Sequence, residues 1–299
     1  MTAADDPTPA VDASVTVPAS EIAAVLAPLR ARYRQWLGLS AEQVRTDRDE
    51  AASDVRAMPL ILRMERTRPP SWHAALAAAA TVAAAICLDP RVAPGGPWHD
   101  AVADYCAGHI RKVTRRARGA HWAAVQELPG VTIDLDGTQV RALLPGRVAE
   151  LDPRVSRLQV GGTDAPVDDA PDWSALGVGA SSAALQVWLP PAPEMTLGKS
   201  MAQAGHAGMI AAALLGGTDG DGGDPAALDA WAAAGFPSVA HGRTTDWPAL
   251  SAAVAVDDGW TGRRLLAVRD AGFTEIPAGT ITVIARGPGG QGSPGTAPH

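Results

Sequence analysis

Several residue types are scarce in this chain, and each shortage narrows what the protein can be. Cysteine occurs twice in 299 residues, at Cys87 and Cys106, which is too few for a disulfide framework. Phe and Tyr also occur twice each, so the nine tryptophans must supply most of the aromatic bulk of a core. Because no secretory signal is recognisable and cysteine is rare, we predict a cytoplasmic location.

Long apolar runs are also missing. The best candidate for a membrane span, 72–88, is at the short limit, is mostly Ala and ends at Asp89-Pro90. Because Ala hardly drives insertion, we predict a buried helix there and no membrane partner.

Metal and phosphate motifs are absent from the sequence as well. The histidines have no metal-ligand spacing to the cysteines, so we predict no metal site and no cofactor. Residues 216–223 are rich in Gly but lack the following Lys-Ser/Thr of a phosphate-binding loop.

The charge balance is acidic, with a formal net charge of -7, which argues against a general nucleic-acid coat. One basic run interrupts it, and a helix there would place Lys112, Arg115 and Arg116 on one face. This run is either a solvated helix side or an RNA contact. The candidate RNA-binding residues are Arg111, Lys112, Arg115, Arg116 and Arg118.

Changes in composition divide the chain. We predict a disordered tail at 1–18, a helical segment at 19–56, an α/β domain at 57–165, a linker at 166–182, a second α/β domain at 183–290 and a tail at 291–299. Predicted helices cover 20–37, 40–57, 72–88, 98–118, 120–128, 199–215, 225–234 and 246–256. Predicted strands cover 58–64, 131–135, 139–144, 155–160, 184–189, 237–241, 263–269 and 280–286.

The two α/β segments read as copies of each other. Residues 60–88 align with 187–215, and 145–162 align with 270–288, with glycines in step. On this register Lys199 corresponds to Trp72 and Asp270 to Pro145. The first half is therefore interpreted as a degenerate copy that keeps the apolar frame and has lost the polar groups of the second.

Polar residues of the second half form a candidate site. Lys199, Gln203 and His206 lie at i, i+4 and i+7, which places them on one face of an otherwise apolar helix. Asp270 follows a predicted strand, and Gly272 permits a tight turn beside it. A cation in the first turn of a helix is unfavourable for the helix dipole, so Lys199 there indicates a function such as polarising a carbonyl. The helix N-terminus itself would attract an anionic ligand.

These residues resemble the motifs of the type 2 peptidyl-tRNA hydrolase family. The matching positions are Gly198-Lys199, Ala202-Gln203, His206-Ala207, Asp270-Ala271-Gly272, Thr274, Gly279, Thr282-Val283 and Gly287-Pro288. The resemblance spans about 183–290 and implies an α/β sandwich with a small mixed sheet, no metal and a dimeric assembly. The predicted fold class is α/β, with two tandem three-layer α/β/α sandwich domains after N-terminal helices.

The resemblance implies cleavage of the ester between peptide and tRNA. Lys199, His206 and Asp270 are the expected catalytic residues, and Gln203, Gly272, Thr274 and Thr282 the expected substrate-binding residues. The expected partner is a tRNA carrying a peptidyl group. A binding module without turnover, for RNA or protein, and a hydrolase of another ester or amide are the alternatives. A tandem copy can replace a dimer partner, so we predict a monomer with an internal pseudo-dimer, with a homodimer as the alternative.

Overall fold

A computed structural model describes residues 17–46, 50–178, 182–255, 259–272 and 276–290. The predicted tails at 1–18 and 291–299 lie outside these ranges except for Val17 and Pro18. The N-terminal segment begins with helix α1 (Ala19–Ile22), a 3-10 turn (Ala23–Leu26), α2 (Ala27–Gly38) and α3 (Ala41–Thr46). The helix predicted over 40–57 is wrong in its C-terminal part, because a strand already begins at Arg56.

The first half alternates strands and helices up to Ser156. Its elements are β1 (Arg56–Arg63), α4 (Trp72–Cys87), α5 (His99–Ala107), β2 (Arg111–Ala117), α6 (Gly119–Gln126), β3 (Gly130–Leu135), β4 (Thr138–Leu143), β5 (Gly146–Arg147) and α7 (Pro153–Ser156). Helix α4 begins where the Ser71 hydroxyl accepts from Ala74 N. The linker at 166–182 contains no helix or strand in its described part.

Two predictions for this half are wrong. The helix predicted over 98–118 ends at Ala107, because extended backbone at Gly108 stops it, and the basic run that follows is strand β2. This run alternates side chains between two faces and pairs in parallel with β1, so tertiary pairing overrides the helical reading. The strand predicted over 155–160 is instead helix α7, capped by Asp152, followed by a single bridge between Gln159 and Arg116.

In the second half, the predicted elements have the expected type. They are β6 (Leu185–Leu189), α8 (Leu197–Leu215), α9 (Pro225–Ala233), β7 (Ser238–Arg243), α10 (Trp247–Val254), β8 (Leu265–Arg269) and β9 (Ile281–Arg286). A further short helix, α11 (Gly259–Arg263), was not predicted. The predicted starts and ends are off by a few residues, as is usual at helix and strand ends.

The two mixed sheets have the same topology. The first has strand order β2-β1-β4-β3, with β5 also pairing with β1, and the second has order β7-β6-β9-β8. In both, the first two strands of the half are parallel and the remaining pairs are antiparallel.

The sheet ladders correct the predicted register of the second alignment. Arg269 pairs with Ile281 at the end of β8, as Leu135 pairs with Thr138 at the end of β3. The residue after β3 is Asp136, so it is Asp136, and not Pro145, that occupies the position of Asp270. The apolar pattern alone could not show this, because 145–162 holds almost no strand.

Helices α4 and α8 pack against each other between the two sheets, and the largest cluster of buried side chains runs through both halves. Shorter helices cover the outer faces: α6 and α7 on the first sheet, α10 and α11 on the second. The packing is reciprocal, since α8 contacts edge strand β2 of the first half and α4 contacts edge strand β7 of the second. In the described residues, no helix is both long and apolar enough to span a membrane.

Candidate active site

Asp270 lies directly after β8, where the connection to β9 fixes its backbone. Its N–H donates to Thr280 O at 2.8 Å, and its carbonyl accepts from Gly279 N at 2.8 Å. The side chain is 5% exposed, and its Oδ1 accepts from Gly272 N at 2.8 Å. Gly272 needs its glycine, because φ is +76° and an added Cβ would lie 2.7 Å from Ala278 Cβ. A buried carboxylate is thus held in one orientation at the end of a strand.

A short hydrogen-bond network connects this carboxylate to α8. Asp270 Oδ2 accepts from Lys199 Nζ at 2.6 Å and from Gln203 Nε2 at 2.8 Å. Gln203 Oε1 in turn accepts from Thr282 Oγ1 at 2.8 Å, which fixes the orientation of the amide. Lys199 and Gln203 reach the same oxygen because they are one helical turn apart. The network orients a lysine ammonium with a buried carboxylate.

Lys199, Gln203, His206 and Asp270 line one cavity of about 630 Å³. The structure thus brings the three expected catalytic residues, Lys199, His206 and Asp270, together at one cavity. The opposite walls come from the first half of the chain: side chains of α2, the start of β2 and residues 160–164. Tyr33 of α2 accepts from Ala267 N of edge strand β8 at 3.0 Å, and Arg269 donates to Trp36 O at 2.7 Å. The N-terminal helices are therefore fixed over the strand that carries Asp270.

His206 lies two turns further along α8 than Lys199. Its Nδ1 is 3.4 Å from Lys112 Nζ of strand β2. Burial, together with the cations Lys112 and Lys199, lowers the pKa of His206 well below 6.5. Burial also lowers the pKa of Lys112 to about 8, against an opposing effect of Cys87 and Cys106. At neutral pH, His206 is therefore neutral and Lys112 is mostly charged.

The first N–H groups of α8, where an anionic ligand was expected, have hydrogen-bond partners within the chain. Leu197 N donates to Asp164 Oδ1 at 3.2 Å and Gly198 N to Thr163 O at 2.9 Å. Lys199 N donates to the capping Thr196 Oγ1 at 3.3 Å. A Cβ at Gly198 would lie 3.1 Å from Thr163 Cβ, so the glycine permits this close approach.

Two of the predicted substrate-binding residues sit elsewhere than expected. Thr282 is completely buried and is not a lining residue, so it supports Gln203 without reaching the cavity. Gly272 contacts the Asp270 carboxylate through its backbone, as described above. Thr274 lies outside the described residues.

Because the basic run at 111–118 forms a strand, its side chains lie on two faces and contact different parts of the protein. Lys112 is buried against α8, and Arg111 pairs with Glu50. Arg115 donates to Leu158 O at 2.7 Å, and Arg116 bonds to Gln159. Arg118, at the start of α6, is exposed. A single basic face that includes Lys112 is therefore wrong.

Three polar residues at the site were not predicted. Thr163 and Asp164 fall beside the predicted linker, where no pattern marks them. Thr114 lies two residues after Lys112 on β2, lines the cavity and is 5% exposed, and its hydroxyl has no hydrogen-bond partner within the described ranges. A signal for Lys112 did exist: the chain contains two lysines, Lys112 and Lys199, against many arginines. Over the same ranges, no group of three or more His, Cys, Asp or Glu is arranged to hold a metal ion.

Fold and site together define a mixed α/β protein with an oriented Lys–Asp pair in a cavity closed by both halves. Residues 189–293 match the family model described as Peptidyl-tRNA hydrolase PTH2, so the C-terminal half carries a domain of that family. No curated protein and no solved structure matches the chain.

Proposed function

We propose that the protein is a peptidyl-tRNA hydrolase that cleaves the ester between peptide and tRNA and releases free tRNA in the cytoplasm, where this substrate arises. The observation that carries the proposal is the pair of Lys199 and Asp270 in the cavity, inside the segment that matches the family. The match supports the reaction class, and the residues support the chemistry.

Ester hydrolysis needs an activated water and stabilisation of the oxyanion that forms on the carbonyl. Lys199 is suited to the second task, since its side chain lines the cavity and is 15% exposed while Asp270 fixes the position of its ammonium group. Asp270 already accepts three hydrogen bonds, which favours the role of orienting Lys199 over that of a free base. His206, neutral at pH 7, contributes a ring nitrogen to the same cavity.

Deacylation of an N-blocked aminoacyl-tRNA by the purified full chain tests the proposal. We expect release of free tRNA well above the spontaneous rate, and a loss of at least ~100-fold in the Asp270→Asn variant because Lys199 is then no longer oriented. Tight tRNA binding without deacylation would support the alternative, a binding module, which the acidic net charge of -7 also leaves open. Turnover of simple esters but not of the tRNA ester would refute the assigned substrate.

The surface around Arg116 and Arg118 is the proposed tRNA contact of the first half. Phosphate contacts from arginine release counterions, so replacing both residues by Ala should weaken tRNA binding and reduce its salt dependence by about 0.7–0.9 in slope per lost contact. Filter binding across a salt series measures this. The matched control is Arg45→Ala on α3, an exposed arginine outside the run. Equal affinity of the double variant and the control would place tRNA elsewhere.

We propose further that the two halves are diverged tandem copies, each a three-layer sandwich, and that the chain is a monomer whose halves form a pseudo-dimer. The common strand order and the reciprocal packing of β2 on α8 and β7 on α4 support this architecture. Light scattering of the full chain tests the oligomeric state, and a stable dimer would contradict the idea that one half replaces a partner.

A further inference from the structure

Both lysines of the chain lie in the same cavity. The rest of the chain's 25 Lys and Arg residues are arginines. Lysine is therefore rare in this chain, and its occurrence at both 112 and 199 is not explained by composition. Lys112 and Lys199 come from different halves, from β2 and α8, and both line the cavity. Arginine stays charged at every relevant pH, whereas a buried lysine can lose its proton.

A glycine on helix α8 leaves room for the side chain of Lys112. A Cβ on Gly205 would lie 3.0 Å from Lys112 Cδ, so the glycine just before His206 lets the lysine stem pass. The Lys112 ammonium is then 3.4 Å from each of three atoms: His206 Nδ1, Tyr105 Oη and Met209 Sδ. No carboxylate pairs with it among the described residues. A buried ammonium without a counter-ion is unfavourable for stability, so its presence here indicates a functional role.

This contact determines which of the two ring nitrogens of His206 carries the proton. A protonated amine can only donate, so His206 Nδ1 accepts and the neutral ring carries its proton on Nε2. We propose that Lys112, supplied by the N-terminal half, is a positioning residue that holds His206 as the neutral Nε2–H tautomer, so that this group donates a hydrogen bond to the substrate. The acceptor on the substrate, a carbonyl or phosphate oxygen, is inferred from the proposed hydrolase function. The tautomer of His206 does not depend on that function.

The groups around the pair determine how it titrates. Lys112 is surrounded by Tyr105 and Cys106 from α5, Cys87 from α4 and His206 from α8, and Lys199 acts on His206 along α8. Burial raises the pKa values of Cys87, Cys106 and Tyr105, against an opposing effect of Lys112 on the two thiols, so these groups stay neutral around pH 8. The change expected between pH 7 and 9 is the loss of the Lys112 proton, after which the amine can accept from Nδ1 and the ring proton moves.

The symmetry-related contact in the other half supplies a matched control. The helix N-caps, Ser71 and Thr196, shift the register of the first alignment by two residues, so that Thr81 of α4 and not Ala79 corresponds to His206: each is the tenth residue after its N-cap. Thr81 Oγ1 donates to Phe236 O at 2.9 Å and lies 3.1 Å from Ser238 Oγ of β7. This is a strand-to-helix contact of the same kind, without a charge.

Nitrogen NMR of the full chain labelled with 15N-histidine tests the tautomer directly. The His206 signals are assigned by their loss in His206→Gln. At pH 7 we expect a neutral ring protonated on Nε2, with a change of tautomer as Lys112 titrates at about 8. The chain labelled with 13C-lysine gives two lysine signals, which makes the Lys112 midpoint directly visible. A ring protonated on Nδ1 at pH 7, or a tautomer that does not change when the Lys112 signal titrates, would overturn the proposal.

Activity provides the second readout. In Lys112→Met the cation that lowers the His206 pKa is gone, so the acid limb of kcat/KM should move up by roughly one pH unit and the alkaline limb near pH 8 should disappear. Thr81→Val should lower the melting temperature without moving either limb. A Lys112→Met profile that matches that of Thr81→Val would show that Lys112 is structural. If Lys112→Met does not fold, the NMR titration of the unmodified chain decides, and it does so even if peptidyl-tRNA proves not to be the substrate.

Discussion

Replacing Lys199 by Met should lower both the rate of turnover and the free energy of unfolding. Adding Asp270→Asn should restore only the free energy of unfolding. Lys199 is the cation proposed to stabilise the oxyanion, so we expect kcat/KM to fall by about 10²–10³-fold. The same change leaves Asp270, 5% exposed, as a buried carboxylate without its cation. Breaking a buried ion pair on one side destabilises a protein by about 3 kcal/mol or more.

The double variant separates the two effects. With Asn at 270 no buried charge is left unpaired, so the free energy of unfolding should recover most of the loss, while deacylation should stay at the level of Lys199→Met. Urea unfolding and the deacylation assay measure these quantities. Arg264→Met is the matched control, because it breaks a partly buried ion pair, with Asp224 at 2.8 Å, outside the cavity. Activity recovered in the double variant would mean that the pair has no role in the reaction.

Gly208→Ala should destabilise the whole chain, and not only its second half. A Cβ at Gly208 would lie 2.1 Å from Ala80 O, so the methyl group would collide with the backbone of α4. Backbone cannot move aside as a flexible side chain can, and overpacking of this kind lowers stability by about 1–3 kcal/mol. Because α4 and α8 share the central layer, both sheets should lose their support together.

Hydrogen exchange of the strands in each sheet tests that coupling. In Gly208→Ala, amides of β1 and of β6 should lose protection by equal amounts. Gly38→Ala, at the end of α2, is the control: an added Cβ there meets nothing within 4 Å, so stability should be unchanged or higher by up to ~1 kcal/mol. Loss of protection confined to β6 would contradict a shared core.

The sequence was most informative where a pattern is local. The Ala-rich apolar runs made α4 and α8 predictable, and the helical spacing of Lys199 and Gln203, with Asp270 after a strand, indicated the network that the structure contains. The period of a helix and the end of a strand determine these positions, and both are visible in a single sequence.

The contacts between the halves were not predictable in this way. The run at 111–118 is charged at five of its eight positions, and these charges fit a helix face as well as a strand, so only pairing with β1 decides between them. The same pairing buries Lys112 against a helix that begins 85 residues later in the chain. Thr163 and Asp164 close the N-terminus of α8 from a segment without periodicity. Long-range tertiary structure, and not propensity, places all of these groups.

The unlike contacts of the two halves have an evolutionary consequence. In an assembly of two identical subunits, one codon specifies both symmetry-related positions, so any change is made twice. Here the strand-to-helix contacts are encoded separately, as Lys112 with His206 and as Ser238 with Thr81. A mutation that improves the contact of Lys112 with His206 does not change the contact of Ser238 with Thr81, so the latter can be selected for folding alone. On the proposed duplication, joining two copies in one gene would allow one site to acquire a residue that a symmetric pair would also have to bury at the other.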